Sequence, residues 1–190
     1  MKVLWNSMIQ SRLDYCSQLW SPSLQSEINK IEDLQRKFTR SIDGMDNMSH
    51  RERLKKLKMY SQERRRDRYM LILCWKIANN LVDGYKLEFT SKYTRRGREC
   101  AVADIVRTAP ASVRRARENS LSVKGARMFN LLPAHLRNIS SDKVQHFKSQ
   151  LDGFLKEVPD EPYSETEGRV ADTNCLLHQI PLYNRKNQIG

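Results

Sequence analysis

Residues 61–82 read Ser61-Gln62-Glu63-Arg64-Arg65-Arg66-Asp67-Arg68-Tyr69-Met70-Leu71-Ile72-Leu73-Cys74-Trp75-Lys76-Ile77-Ala78-Asn79-Asn80-Leu81-Val82, and this stretch decides both the fold and the question of function. Tyr69, Met70, Leu73, Cys74, Ile77 and Leu81 recur at threes and fours, which predicts a helix from about Ser61 to Val82, with Asp83-Gly84 as its stop. Its first turns carry four arginines. Cations at a helix start oppose the macrodipole, so an anion is expected nearby: a phosphate, or a carboxylate such as Glu63 or Asp67.

The flanking sequence has the same period. Val3, Leu4, Met8, Ile9, Leu13 and Cys16 predict a helix over 3–19, broken by Ser21-Pro22-Ser23. Leu24, Ile28, Ile31, Leu34, Phe38 and Ile42 form one apolar stripe from 24 to 42, with Gly44 as its stop. Ser49-His50-Arg51-Glu52 fits a capping box opening a short helix that carries Leu54 and Leu57. Trp20, Phe38, Trp75 and Phe129 are expected as core anchors.

Downstream the period fades. Residues 85–119 predict a long basic loop, and a connection of that length is usually functional. Ser120 to Val123 alternate as a short extended piece, and 124–132 predict a helix with Phe129 and Leu132 inward, closed by Pro133. Ser140-Ser141-Asp142 reads as an N-cap cluster for a helix to about Val158, with Val144, Phe147, Leu151, Phe154 and Leu155 on its apolar side. The expected fold is all-α, an irregular multi-helix module. Its expected parts are a helical module over 1–84, a basic linker or loop over 85–119, a helical module over 120–158 and an acidic, partly disordered tail over 159–190.

The charge is uneven. The chain of 190 residues has a formal net charge of +12. Residues 51–100 hold fifteen basic and six acidic side chains, and residues 101–150 nine and three, whereas 151–190 hold four and seven. Clustered cations attract polyanions, and arginine grips phosphate bidentately. The sequence candidates for phosphate contacts are Arg64, Arg65, Arg66, Arg68, Arg95, Arg96, Arg98, Arg114, Arg115 and Arg117.

Other chemistries find little footing. There is no Gly-rich phosphate loop, no G-x-S-x-G and no H-E-x-x-H. His50, His135, His146 and His178 are isolated and read as surface residues. Cys16, Cys74, Cys100 and Cys175 form no close pair, so no disulfide framework, structural metal or cofactor is expected. No apolar run approaches the roughly 18 residues of a membrane span, and the first residues do not read as a signal peptide. An intracellular protein with no membrane partner and no small-molecule substrate is expected.

Several motifs follow one another in a telling order. Ser11-Arg12-Leu13-Asp14-Tyr15-Cys16-Ser17-Gln18-Leu19-Trp20-Ser21-Pro22 precedes Ile31-Glu32-Asp33-Leu34-Gln35-Arg36-Lys37-Phe38-Thr39-Arg40. Then come Arg51-Glu52-Arg53-Leu54-Lys55-Lys56-Leu57, Glu63-Arg64-Arg65-Arg66-Asp67, Arg96-Gly97-Arg98, Phe129-Asn130-Leu131-Leu132-Pro133 and Phe147-Lys148-Ser149-Gln150-Leu151-Asp152. From about residue 8 to about 180, the succession resembles the region that follows the palm in reverse transcriptases of non-LTR retrotransposons, of the jockey and chicken-repeat type. That resemblance implies a non-catalytic thumb-and-beyond fragment of an RNA-directed DNA polymerase. The family's aromatic-x-Asp-Asp hairpin is absent from this sequence, so no enzyme activity is expected. The implied partners are the backbone of RNA or an RNA–DNA hybrid, and a palm domain that would dock on residues 3–19. Asn130 is expected to stabilise the turn beside Pro133. The alternatives are a small basic scaffold binding a protein partner, which salt dependence would discriminate, and an inert remnant of a decayed element.

Overall fold

A computed structural model describes residues 2–140, 144–162 and 174–187. The architecture is all-α. Among the described residues there is no strand, and one antiparallel bridge joins Phe89 to Cys100. The chain divides into two compact units, residues 1–67 with 160–175, and residues 68–159 with 176–190. One boundary lies inside the helix Gln62–Ala78, between Asp67 and Arg68.

In the first unit the expected helix over 3–19 is not continuous. An α-turn Lys2–Leu4 leads into a π-wound stretch Trp5–Gln10 and a further turn Ser11–Asp14. The left-handed Cys16, with φ of 48°, separates these from Ser17–Trp20. Trp20 is 39% exposed and donates to the Tyr15 carbonyl, so it is not the expected core anchor. Trp5 takes that place, packed on Phe38 at 4.7 Å between ring centres.

The helix Gln25–Arg40 buries Glu32, Gln35 and Thr39, while Leu24 and Leu34 of the expected stripe are exposed. Hydrogen bonds explain the rotation. The Glu32 carboxylate binds His50 Nε2 at 3.0 Å and accepts the Gln62 N–H at 2.9 Å. Gln35 donates to the Tyr60 carbonyl, and Thr39 Oγ1 accepts from Arg53 Nε. Polar partners with fixed geometry outrank a stripe of aliphatic side chains that are themselves only half-buried.

The capping box is formed. Ser49 Oγ accepts the Glu52 N–H at 3.2 Å and Glu52 Oε2 accepts the Ser49 N–H at 2.8 Å, opening His50–Leu57. The next helix starts where expected. Asp160 takes both the Ser61 amide and hydroxyl, at 2.9 and 2.7 Å, and Asn174 donates to Asp160 at 2.6 Å. With Glu32 on the Gln62 amide, two carboxylates sit at the positive end of the macrodipole.

In the second unit that helix ends at Ala78, four residues before the expected Val82. Asn80 adopts φ of 56°, and the Asn80 and Leu81 amides return to the Ile77 and Lys76 carbonyls. This is a Schellman closure with asparagine in the left-handed position. Residues 70–77 supply Met70, Leu71, Ile72, Cys74, Trp75 and Ile77 to the core. Trp75 stacks on Phe147 at 4.6 Å and donates to the Ile139 carbonyl. Phe147, Leu151 and Leu155 of Val144–Glu157 are buried as expected. The Ser140-Ser141-Asp142 cap falls partly outside the described residues.

Of residues 120–123 Ser120 alone is extended; Leu121 to Val123 enter a π-wound turn, Leu121–Gly125, followed by Ala126–Leu131. A Cβ on Gly125 would lie 2.8 Å from Leu121, 2.9 Å from Cys74 Sγ and 3.2 Å from Met70, so the wide π turn delivers a glycine into the core. The expected loop over 85–119 contains the helix Ala111–Glu118, and the expected tail contains Leu176–Lys186. Residues 163–173 and 188–190 of that tail lie outside the described residues.

Candidate nucleic-acid interface

The ten candidate arginines separate into two groups. Arg64 is fully buried and Arg66 is 7% exposed. Burial pulls the Arg66 pKa down, and the carboxylates of Glu32, Glu63 and Asp67 oppose that pull. Arg65 clasps Asp14 with Nε and Nη2, at 2.8 and 2.7 Å. Arg68 clasps Asp152 in the same manner, at 2.5 and 2.7 Å. The fold thus takes up these four side chains itself, Arg64 and Arg66 by burial and Arg65 and Arg68 by carboxylate pairing. The charge that the helix start needs is supplied by Glu32 and Asp160, from elements distant in sequence.

Arg95, Arg96 and Arg98 belong to a built turn. Gly97 has φ of 76°, and its amide returns to the Thr94 carbonyl at 2.9 Å. Arg98 is turned inward and donates from Nη1 to the Ala78 carbonyl at 3.0 Å, and burial lowers its pKa. Its amide binds Asn138 Oδ1 at 2.9 Å. A Cβ on Gly97 would meet the Asn138 amide group at 2.9 Å and Ala134 at 3.2 Å, so glycine is required both by conformation and by space.

Arg137 fixes the turn from beneath. Its guanidinium donates to the carbonyls of Leu132, Arg98 and Arg96, at 2.9, 2.5 and 2.8 Å. With its donors committed to backbone oxygens, Arg137 is a strut. Arg95 and Arg96 keep exposed side chains, and neither makes a side-chain hydrogen bond among the described residues. They line a cavity of about 810 Å³ with Glu99, Leu132, Pro133 and Asn184.

Arg114, Arg115 and Arg117 lie on Ala111–Glu118, whose eight residues are all exposed. Arg114 and Arg117 reach backbone carbonyls of Arg107 and Asp104 at 3.4 and 3.5 Å, and none of the three makes an ion pair among the described residues. Arg107 and Arg127 are also exposed. A helix with no buried residue gains little from its own packing, and three unneutralised guanidiniums on it are placed to meet phosphate oxygens.

Other sequence readings sort as follows. Phe129 is fully buried and meets Phe89 edge-on at 5.5 Å. Asn130 does not serve the turn at Pro133; its amide pairs with both the N–H and the C=O of Cys100, at 2.7 and 2.8 Å. An asparagine side chain matches a backbone peptide donor for acceptor, and here it anchors the strand-like segment after the arginine turn. His135, His146 and His178 are exposed as expected, but His50 is buried against Glu32. Burial pushes the Cys74 thiol up, and the Cys100 thiol to about 11, which marks both as inert packing groups. Among the described residues no three His, Cys, Asp or Glu side chains could hold a metal ion, and no helix is long and apolar enough to cross a membrane.

Arg137, Asn138 and Asn184 were not legible as site residues. Arg137 ends the short helix Ala134–Arg137, Asn138 follows it and Asn184 lies in Leu176–Lys186, with no motif to mark any of them. No family model, no curated protein and no solved structure matches the chain.

Proposed function

We propose that this chain is a non-catalytic, post-palm portion of a non-LTR retrotransposon reverse transcriptase, which holds RNA or an RNA–DNA template–primer by its backbone. The observation that carries the binding reading is the fully exposed helix Ala111–Glu118, with arginines free of carboxylate partners. Arg95 and Arg96, turned outward on a rigid turn, extend the cationic set. Binding through phosphates is sequence-tolerant, as a polymerase accessory requires. The order of motifs supports the ancestry, and residues from two of them, Arg96 and then Leu131, Leu132 and Pro133, line the same cavity.

Fluorescence anisotropy with a labelled RNA–DNA hybrid tests the reading. Affinity should fall log-linearly with salt, and Arg114→Ala/Arg115→Ala/Arg117→Ala should flatten the slope by about 2–3, near 0.9 per lost phosphate contact. An unchanged slope removes these arginines from the interface. Primer extension with Mg²⁺ should give no incorporation, and any incorporation refutes the non-catalytic assignment.

A second reading has its own observation. Val3, Leu4, Met8 and Leu19 are exposed in the first unit, Val3 at 78% and Leu19 at 88%. Under the same ancestry a palm domain covers them; under the rival reading, a small basic scaffold uses them to bind a protein partner. Binding that persists unchanged from 50 to 500 mM salt would favour this apolar surface.

A further inference from the structure

We infer that the cavity beside Arg95 and Arg96 binds one nucleoside monophosphate unit, with its base against the apolar wall and its phosphate at the arginine rim. The inference rests on the proposed function for where that unit comes from, the unpaired end of a bound strand. It rests on the cavity itself for the chemistry.

Three features converge. At about 810 Å³ the cavity lies within the roughly 300–1,000 Å³ typical of small-molecule sites. One wall, Leu131 to Ala134, is apolar and includes Pro133, whose ring offers an aliphatic face to a base. The rim carries Arg95 and Arg96, whose guanidiniums are not engaged by any hydrogen bond among the described residues.

Glu99 sharpens the class. It is the one carboxylate on the wall, and it stands 3.9 Å from Arg137 Nη1. A bare polyanion would gain nothing from it, whereas a ribose presents hydroxyls that donate to a carboxylate. The cavity thus offers an apolar wall for the base, an acceptor for the sugar and two cationic side chains for the phosphate. Arg137, Asn138 and left-handed Gly97 hold the turn that carries the rim, so the site is formed before a ligand arrives.

The test titrates the whole chain with adenosine 5′-monophosphate and with ribose 5-phosphate by calorimetry. It also measures anisotropy of a blunt RNA–DNA hybrid and of the same hybrid with a three-adenosine 3′ overhang. The nucleotide should bind at least tenfold more tightly than ribose 5-phosphate, and the overhang should tighten hybrid binding. Arg95→Glu/Arg96→Glu, on exposed side chains that folding does not need, should abolish nucleotide binding, whereas Arg114→Glu should not change it. Equal binding of ribose 5-phosphate and nucleotide overturns the inference, as does nucleotide binding that survives Arg95→Glu/Arg96→Glu. Failure of the nucleotide to bind while the blunt hybrid still binds overturns the cavity and leaves the proposed interface standing. Nucleotide binding with no hybrid binding supports the cavity and overturns the interface.

Discussion

The two units solve the problem of an interior in opposite ways. The first encloses Glu32, His50, Arg53, Gln62, Arg64, Arg66 and Asp67, with few apolar side chains among them. The second encloses Leu71, Trp75, Phe129, Leu136, Phe147, Leu151 and Leu155, and apart from Arg68, which clasps Asp152, its arginines point outward or brace carbonyl oxygens. The same residue type therefore does contrary work in the two units. An arginine run declares a need for negative charge. Whether that charge is a phosphate outside or a carboxylate inside depends on residues far away in sequence.

The largest expected effect sets one interior against the other. Glu32→Ala leaves His50 and Arg66 buried beside a missing carboxylate and uncovers the Gln62 amide. Leaving buried polar groups without their acceptor costs about 1–3 kcal/mol apiece. Leu151→Ala in the second unit should cost about 2–5 kcal/mol through its cavity. Conservative swaps separate the mechanisms. Glu32→Gln keeps shape but removes charge and should remain costly, whereas Leu151→Met conserves volume and should cost under about 1.5 kcal/mol. Urea denaturation of the four variants measures this. Should Glu32→Gln prove milder than Leu151→Met, the first interior is held by packing after all.

A smaller effect is expected at the arginine turn. Gly97→Ala forces a left-handed backbone on alanine and drives its Cβ into Asn138 and Ala134. Backbone strain of this kind costs about 1–3 kcal/mol. Thermal denaturation should report the loss. Hydrogen exchange should place the opening at the Arg98 amide, which Asn138 otherwise protects. Protection of that amide equal to the wild type would show the turn to be held by Arg137 alone.

What the sequence made legible follows from how local each signal is. The capping box at Ser49, the start at Ser61 and the apolar side of Val144–Glu157 depend on neighbours within a few residues, and all three were readable. The inward rotation of Gln25–Arg40 depends on Gln62, His50 and Arg53, so its aliphatic stripe misled. Asn80 ended a helix in which Asp83-Gly84 was the stronger stop, because asparagine tolerates the left-handed turn well enough once the Schellman bonds form. At the candidate site, Arg95, Arg96, Arg114, Arg115 and Arg117 were visible as clusters. Arg64, Arg65, Arg66 and Arg68 looked identical to them until Asp14, Glu32 and Asp152 were in place. Asn184 carried no signal, since an orphaned acceptor exists only in three dimensions.

The smallest effect tests whether acid acts first on the charge-rich unit. The Glu52 carboxyl is held below the usual glutamate range, chiefly by the Ser49 amide and then by its hydroxyl. Glu52 is exposed, so the contribution is local to the start of His50–Leu57. A folded pKa below the unfolded one means that the unfolded chain takes up the proton first on acidification. The cap is then at full strength above the ordinary glutamate value of about 4.3 and is lost as pH falls through the lower folded value. The urea midpoints of wild type and Glu52→Ala should therefore differ at pH 6 and converge by pH 3. A gap that stays constant down to pH 3 would mean that the neutral carboxyl caps the Ser49 amide equally well.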